Sequence, residues 1–583
     1  MSLIKAALGE ADLDILIHEV SLVNVLTGEI YPADIGISLG KIACVEPPGT
    51  LPARRAAQVI EGRGLISVPG LIDAHMHIES SLVTPAHFAA TVLTHGTTTV
   101  AEDPHEIANV LGLEGVRMMW EAGKGLPLKV CFLVPTCVPS ASGLETSGGE
   151  IGPAQVVEML GWDRVLGLAE VMDARAVIQE GDHITEILEV GRRAGIVIEG
   201  HNPMLRGREL SAYLAAGIDS DHTLMTPEVI SEKLRLGVTV ELQERYMTRD
   251  LISAFQALPS DPDILLVTDD VAPDYLEEKG HLDQVLRRAI ELGMAPMEAV
   301  RSATVKPAQR LRLYDRGVIA PGRAADIVLV DSLESFTVDT VLVDGQVVVQ
   351  GGELVWCPGP EEQLNKARGS VKLPLLNEGD FQLKAPVLEG WARVRVIVSD
   401  ARDMATREGR ATLEVREGLV QLDGSGRLAW IAVFERHGRD YGRAQGLVQG
   451  LGLQDGAVAS TQAHDAHNLV VIGRDPAEMA RAANAVIAAD GGLAAVRGGQ
   501  VQALVELPIA GLMSPRPLPE VAGALRRFTN AVREMGISHP HLLMRLTSFT
   551  LPVGSGLRIT DQGLVDAQAR QLVDLFLEAG GKG

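Results

Sequence analysis

Between residues 69 and 320, eight short apolar runs alternate with stretches of helical spacing, and this alternation constrains the fold more than any other feature. The runs are "GLIDAHMH" (70–77), "TTTVAED" (97–103), "LKVCFLVP" (128–135), "VLGLAEV" (165–171), "IVIEGHN" (196–202), "IDSDHT" (218–223), "VTVELQE" (238–244) and "ILLVTDD" (264–270). Each has the length of a buried strand. Between them lie segments such as "TEILEVGRRAG" and "PEVISEKLRLG", each closed by a glycine, a usual C-terminal helix stop. Eight strand–helix units in about 250 residues is the arithmetic of an α/β fold, the (β/α)8 TIM-type barrel.

The flanks have a different texture. Residues 1–68 and 321–370 hold valine- and isoleucine-rich runs cut by glycine and proline, which predicts strands. They are expected to form two parts of one small β-sandwich domain, discontinuous in sequence around a barrel at 69–320. Residues 371–583 mix strand patterns ("ATLEVREGLVQLDG", "LAWIAVFERHG") with helix patterns ("PAEMARAANAVIAAD", "LPEVAGALRRFTNAVREMG") and are expected to form a C-terminal α+β domain.

Composition narrows the partners. A formal net charge of -24 leaves no basic surplus to displace phosphate counterions, which argues against nucleic acid. No run approaches the roughly 18 apolar residues of a membrane span. The N-terminus is interrupted early by acidic residues, and the chain holds only four cysteines, so a cytoplasmic protein with a small-molecule partner is expected.

Active sites of such barrels lie at the C-terminal ends of the strands. His75 and His77 end the first run, two apart and therefore on one strand face. Glu170 ends the fourth, His201 follows the fifth, His222 ends the sixth and Asp269 ends the eighth. Four imidazoles and two carboxylates exceed one tetrahedral zinc and suit two divalent ions, with Glu170 as the natural bridge. Mn2+, Fe2+ and Zn2+ all accept such ligands. Metal-activated water attacks electrophilic carbon, and a nearby carboxylate must relay its proton, a role for which Asp269 is placed. The expected class is hydrolysis of a C–N bond. Asp103 and His105, just past the second run, and His281, after the eighth, are candidates for substrate binding. In "AHDAHN", His464, Asp465 and His467 are read as a domain interface or surface turn, with mouth lining or a further ion as alternatives.

The stretches "PGLIDAHMHIESSLVTP", "TTTVAEDPHEIANVLG", "GLAEVM", "EGHNP", "DSDHT" and "VTDDVAPDYLEEKGHLD" resemble the amidohydrolase superfamily and, within it, the bacterial adenine deaminase family. The C-terminal stretches "GLGLQDGAVAS", "AHDAHNLVVIG" and "ELPIAGLMS" carry the same resemblance, which covers nearly the whole chain. It implies hydrolysis of adenine to hypoxanthine and ammonia in purine salvage, two ions of manganese or iron, and a homo-oligomer, dimeric or tetrameric. It also implies that His75, His77 and Asp269 hold one ion and His201 and His222 the other, with Glu170 bridging. "VTVELQERYMTRD" and "LTSFTLPVGSG" depart from the family wording, which leaves N6-methyladenine or another 6-substituted purine as an alternative substrate. A dihydroorotase- or hydantoinase-like activity is disfavoured because "GLAEVM" lacks the lysine that such enzymes carboxylate. A catalytically inactive scaffold is disfavoured by the full set of six ligands. "HIE" at 77–79 mimics one half of a cytidine-type zinc deaminase motif, but no P-C-x-x-C follows.

Overall fold

The computed structural model describes residues 2–581 except 204, 224, 259–261, 400–404, 440, 441 and 540. Seven of the eight predicted runs form strands of three to seven residues, and the sixth forms a strand of only two. They are β1 (Leu71–Met76), β2 (Thr97–Glu102), β3 (Lys129–Val134), β4 (Val165–Val171), β5 (Val197–Gly200), β6 (Ser220–Asp221), β7 (Thr239–Leu242) and β8 (Ile264–Leu266).

β1 to β5 pair in sequence order as a five-stranded parallel sheet, a half-barrel, and β6 to β8 form a three-stranded one. Backbone hydrogen bonds cross both gaps between these sheets. The Asp219 N–H donates to the Ile198 carbonyl (3.1 Å), and the Asp269 N–H donates to the His75 carbonyl (3.1 Å). Alternate residues point to opposite faces of a strand. Ile72 and Ala74 of β1, Ala101, Leu133, Ala169 and Val197 accordingly share one core with Leu265 and Val267, and with Ala308 and Leu311 at helix Val305–Arg310. The residues between them, such as Leu71, Val100 and Phe132, belong to a separate core.

The flanking segments 13–69 and 327–354 join in one hydrogen-bonded sheet of nine strands. The seam is the antiparallel pairing of Ile66–Pro69 with Ile327–Val330, in register Val68 to Val328. Strands from both flanks are thus hydrogen-bonded in a single sheet assembled from two distant pieces of chain.

Beyond residue 389 a ten-stranded sheet dominates. Its central strand Leu428–Phe434 is buried on both faces. Trp430, Ala432 and Phe434 pack toward helix Pro476–Ala488, whereas Ala429, Ile431 and Val433 join the core that contains helix Leu518–Glu534. That second core runs without a break into the residues around β1, including Leu82, Val83 and Phe88. The Ser514 N–H donates to the Leu82 carbonyl (2.8 Å) at the same junction. This packing brings the segment around residue 465 against the C-terminal ends of β1 and β2. Among the described residues, no helix is long and apolar enough to cross a membrane.

Candidate metal centre

The six residues expected as ligands converge. Glu170, at the end of β4, lies in the middle, and its two oxygens face different partners. Oε1 is 3.6 Å from His77 Nε2, while Oε2 is 3.3 Å from His222 Nε2 and is hydrogen-bonded by His201 Nδ1. Asp269 Oδ1 closes the other side, 3.2 Å from His77 Nε2 and 3.8 Å from His75 Nε2. The His75 and His222 rings are stacked with centroids 4.0 Å apart.

The backbone holds these groups from outside. His77 Nδ1 donates to the Asp103 carbonyl (2.9 Å), which orients the ring and turns Nε2 toward the cluster. The Tyr213 hydroxyl accepts from the His201 N–H (3.0 Å) and donates to the Val171 carbonyl (2.7 Å). Buried Lys233 pairs with Asp221 Oδ2 (3.0 Å) and donates to the Asn202 and Thr223 carbonyls, tying together the loops that follow β5 and β6. Gln243 Nε2 donates to the His222 carbonyl (3.1 Å). Asp269 has a left-handed backbone (φ 58°), a conformation that aspartate tolerates better than most residues and that recurs at functional sites.

Electrostatics separate the groups. Burial, reinforced by His222 and His77, drives the His75 pKa well below its ordinary value. Burial also opposes charge on His77, but Asp269, Asp270 and Asp103 outweigh it and hold that pKa well above. Glu170 pays desolvation yet is held well below the usual carboxylate range by His201 and His222. Asp269 behaves likewise, with Arg245 the largest counterweight to burial.

Does this set fit a metal centre? Both ring nitrogens of fully buried His75 lack a hydrogen-bond partner, as does His222 Nδ1. Unpaired buried imidazoles are costly unless something absent from the chain pairs with them. Metal-ligand atoms from His75, His222 and Asp269 lie within 4.8 Å of one another, and so do those of Glu170, His201 and His222. Imidazole nitrogens around a central carboxylate are a donor set for Mn, Fe or Zn. The residues therefore fit divalent ions.

The other expected residues divide. Asp103 and His105 do reach the cluster, since His105 Nδ1 is 3.1 Å from Asp103 Oδ2 and 3.8 Å from Glu170 Oε1. Burial opposes its charge, but Asp103 pushes the His105 pKa up to about 10. His281 is not brought in. It is wholly buried, with Nδ1 2.9 Å from Thr97 Oγ1, Nε2 3.6 Å from Asp73 Oδ2, and its ring edge-on to Phe88. His464 meets Glu106 at the start of helix His105–Ala122. Sequence reasoning missed Arg245, whose Nη2 donates to Asp269 Oδ2 (2.8 Å). Its one signal was its place in "VTVELQERYMTRD", after β7.

Residues 66–348 match the amidohydrolase family, and residues 403–571 match the adenine deaminase C-terminal domain. An adenine deaminase of Klebsiella pneumoniae is 40% identical over 578 residues, covering 98% of this chain and 95% of that protein. Adenine deaminase 2 of Rhizobium meliloti is 41% identical over 578 residues, with 98% and 96% coverage. An adenine deaminase of Moorella thermoacetica is 39% identical over 581 residues, with 98% and 97% coverage.

Proposed function

This chain belongs to the adenine deaminases of the amidohydrolase family, and from that membership we propose that its buried histidine–carboxylate cluster hydrolyses adenine to hypoxanthine and ammonia, serving purine salvage. The observation that carries the mechanism is the divided environment of Glu170, one oxygen toward His77 and the other toward His201 and His222. In this reading His75, His77 and Asp269 hold one divalent ion, His201 and His222 hold a second, and Glu170 lies between. Manganese or iron is the preferred metal. When bound, the ions supply acidified water at neutral pH and electrostatic stabilisation of the negative charge that develops on the purine.

The remaining work falls to side chains. Asp269 accepts the proton of the attacking water and passes it toward the departing amine. Arg245 on its outer oxygen fixes the carboxylate and lowers its basicity, so the relay favours rapid release of the proton over its retention. His105, cationic at neutral pH beside Asp103, donates a hydrogen bond to the edge of the purine next to C6. The Asp219–Ile198 and Asp269–His75 hydrogen bonds support closure of the two parallel sheets into one (β/α)8 barrel over 69–320, with 1–68 and 321–370 as a small β domain and 371–583 as the C-terminal domain.

The test is hypoxanthine formation from adenine (with ammonia) and from N6-methyladenine (with methylamine), and ring opening of dihydroorotate, by chelated protein and by the same protein reloaded with manganese or iron. Turnover of adenine that disappears on chelation and returns with metal is expected. Hypoxanthine and methylamine formed from N6-methyladenine, with adenine left intact, would move the substrate, and turnover of dihydroorotate alone would remove the reading.

A further inference from the structure

A second group of buried ligand-type side chains lies where the C-terminal region meets the barrel strands. Glu106, from the first turn of helix His105–Ala122, faces His464 and His467, and a ligand atom from each lies within 4.8 Å of the others. His464 Nδ1 is 3.7 Å from Glu106 Oε1 and 3.6 Å from Asp465 Oδ1. None of these residues belongs to the six around Glu170.

Polar groups here are left over. His467 is fully buried and its Nδ1 accepts from the Ala463 N–H (3.2 Å), yet its Nε2 has no partner. Asp465 Oδ2 and Gln462 Oε1 are likewise buried and unpartnered. The single Ser80 hydroxyl proton is contested by Asp270 and by Glu106 Oε1 (3.2 Å). The charged neighbours that act most strongly on Glu106 are His464, Glu79, Asp270 and His105. Buried carboxylate and amide oxygens left without a partner, beside an imidazole nitrogen that also lacks one, describe a place for a bound cation.

We propose that Glu106, His464 and His467 bind a third divalent transition-metal ion, which ties the segment 462–467 of the C-terminal region to the helix that begins at His105. Two imidazoles and a carboxylate favour Zn2+, Mn2+ or Fe2+ over Mg2+ or Ca2+, which take oxygen ligands. Gln462 Nε2 orients the outer Glu106 oxygen (3.3 Å), and the Thr550 hydroxyl donates to the His464 carbonyl (2.8 Å), so both sides of the site are anchored. The ion links the two matched regions of the chain through ligands from each.

The test is a crystal of the full chain grown in excess manganese and then zinc, with anomalous difference maps at each metal's edge and the metal content per chain measured in solution. Density among Glu106, His464 and His467, separate from that around Glu170, is expected. His464→Gln and His467→Gln should each lose one ion per chain while the density around Glu170 persists. Filled density around Glu170 with none at Glu106 would overturn the proposal and leave the deaminase reading untouched. So would variants that hold as many ions as the parent.

Discussion

The same parallel strands carry two groups of buried charge only two residues apart at the C-terminal end of β5. Glu199 belongs to one and His201 to the other. In the first, Arg310 is the cation. Its guanidinium reaches Glu199 Oε1 (2.8 Å), Asp219 Oδ1 (2.9 Å) and Glu241 Oε1 (3.3 Å). Burial, then Glu199, hold the Glu241 carboxyl well above its ordinary value, and Arg310 is the cation that the three carboxylates share. In the second, imidazoles face carboxylates, His75 has no partner at either nitrogen, and the one guanidinium, Arg245, meets only the outer oxygen of Asp269. The chain supplies the first cluster with a cation of its own and leaves buried imidazoles of the second without partners. A cluster built around its own cation holds structure, whereas one that lacks its cations is poised to acquire them and do chemistry.

The largest effect should come from the unfinished cluster. Asp269→Asn is expected to lower kcat by roughly 10^2–10^4-fold with a melting temperature near the parent's, measured by ammonia release and circular dichroism. Parent-like turnover would break the contrast, because Asp269 would then be as structural as Glu199. The converse holds for Arg310→Met. Removing the cation strands its carboxylates, at a cost of about 3–5 kcal/mol, read as a lower denaturant midpoint. Metal content should stay the same. An Arg310 variant that unfolds with the parent would show that its cluster is not what supports the strands.

The smallest effect sharpens the comparison with a third kind of buried imidazole. Burial lowers the His281 pKa from 6.5 to about 3. The native ring stays neutral while the unfolded chain takes up a proton below 6.5, so stability is retained above that pH and falls as pH drops toward 3. Each pH unit in that window is worth up to about 1.4 kcal/mol. His281→Gln should flatten the decline between pH 6.5 and 5 without changing turnover at neutral pH. A parent-like slope would show that His281 does not carry the acid sensitivity.

His281 also shows where reading the sequence stops. It follows the eighth run, as a mouth residue would, yet its ring turns back to Thr97 and Asp73. Position along the chain says which strand end a residue follows, but not which way a loop turns. Five of the six ligands escaped that ambiguity because each lies at or directly after a strand end, where the backbone sets the direction of the side chain, and Asp269 follows β8 by three residues with its N–H held by the His75 carbonyl. Arg245 had no such guide, since an arginine three residues past a strand end reads like any surface arginine. The Glu106–His464 meeting was equally hidden, because its partners are separated by more than 350 residues and only the packing of helix Leu518–Glu534 and its sheet brings them together.

By itself the sequence determined the succession of strands and helices, the pairing of His75 with His77 on one face, and the residues at the strand ends. These follow from local periodicity, which each segment carries whatever its surroundings. Only the tertiary structure decided that the flanking β pieces merge into one nine-stranded sheet, that Arg310 neutralises one cluster while the other keeps unpaired imidazoles, and that the C-terminal region settles against Glu106. Those outcomes depend on which distant surfaces exclude water together and on which buried charges then find a partner, and no stretch of chain encodes either alone.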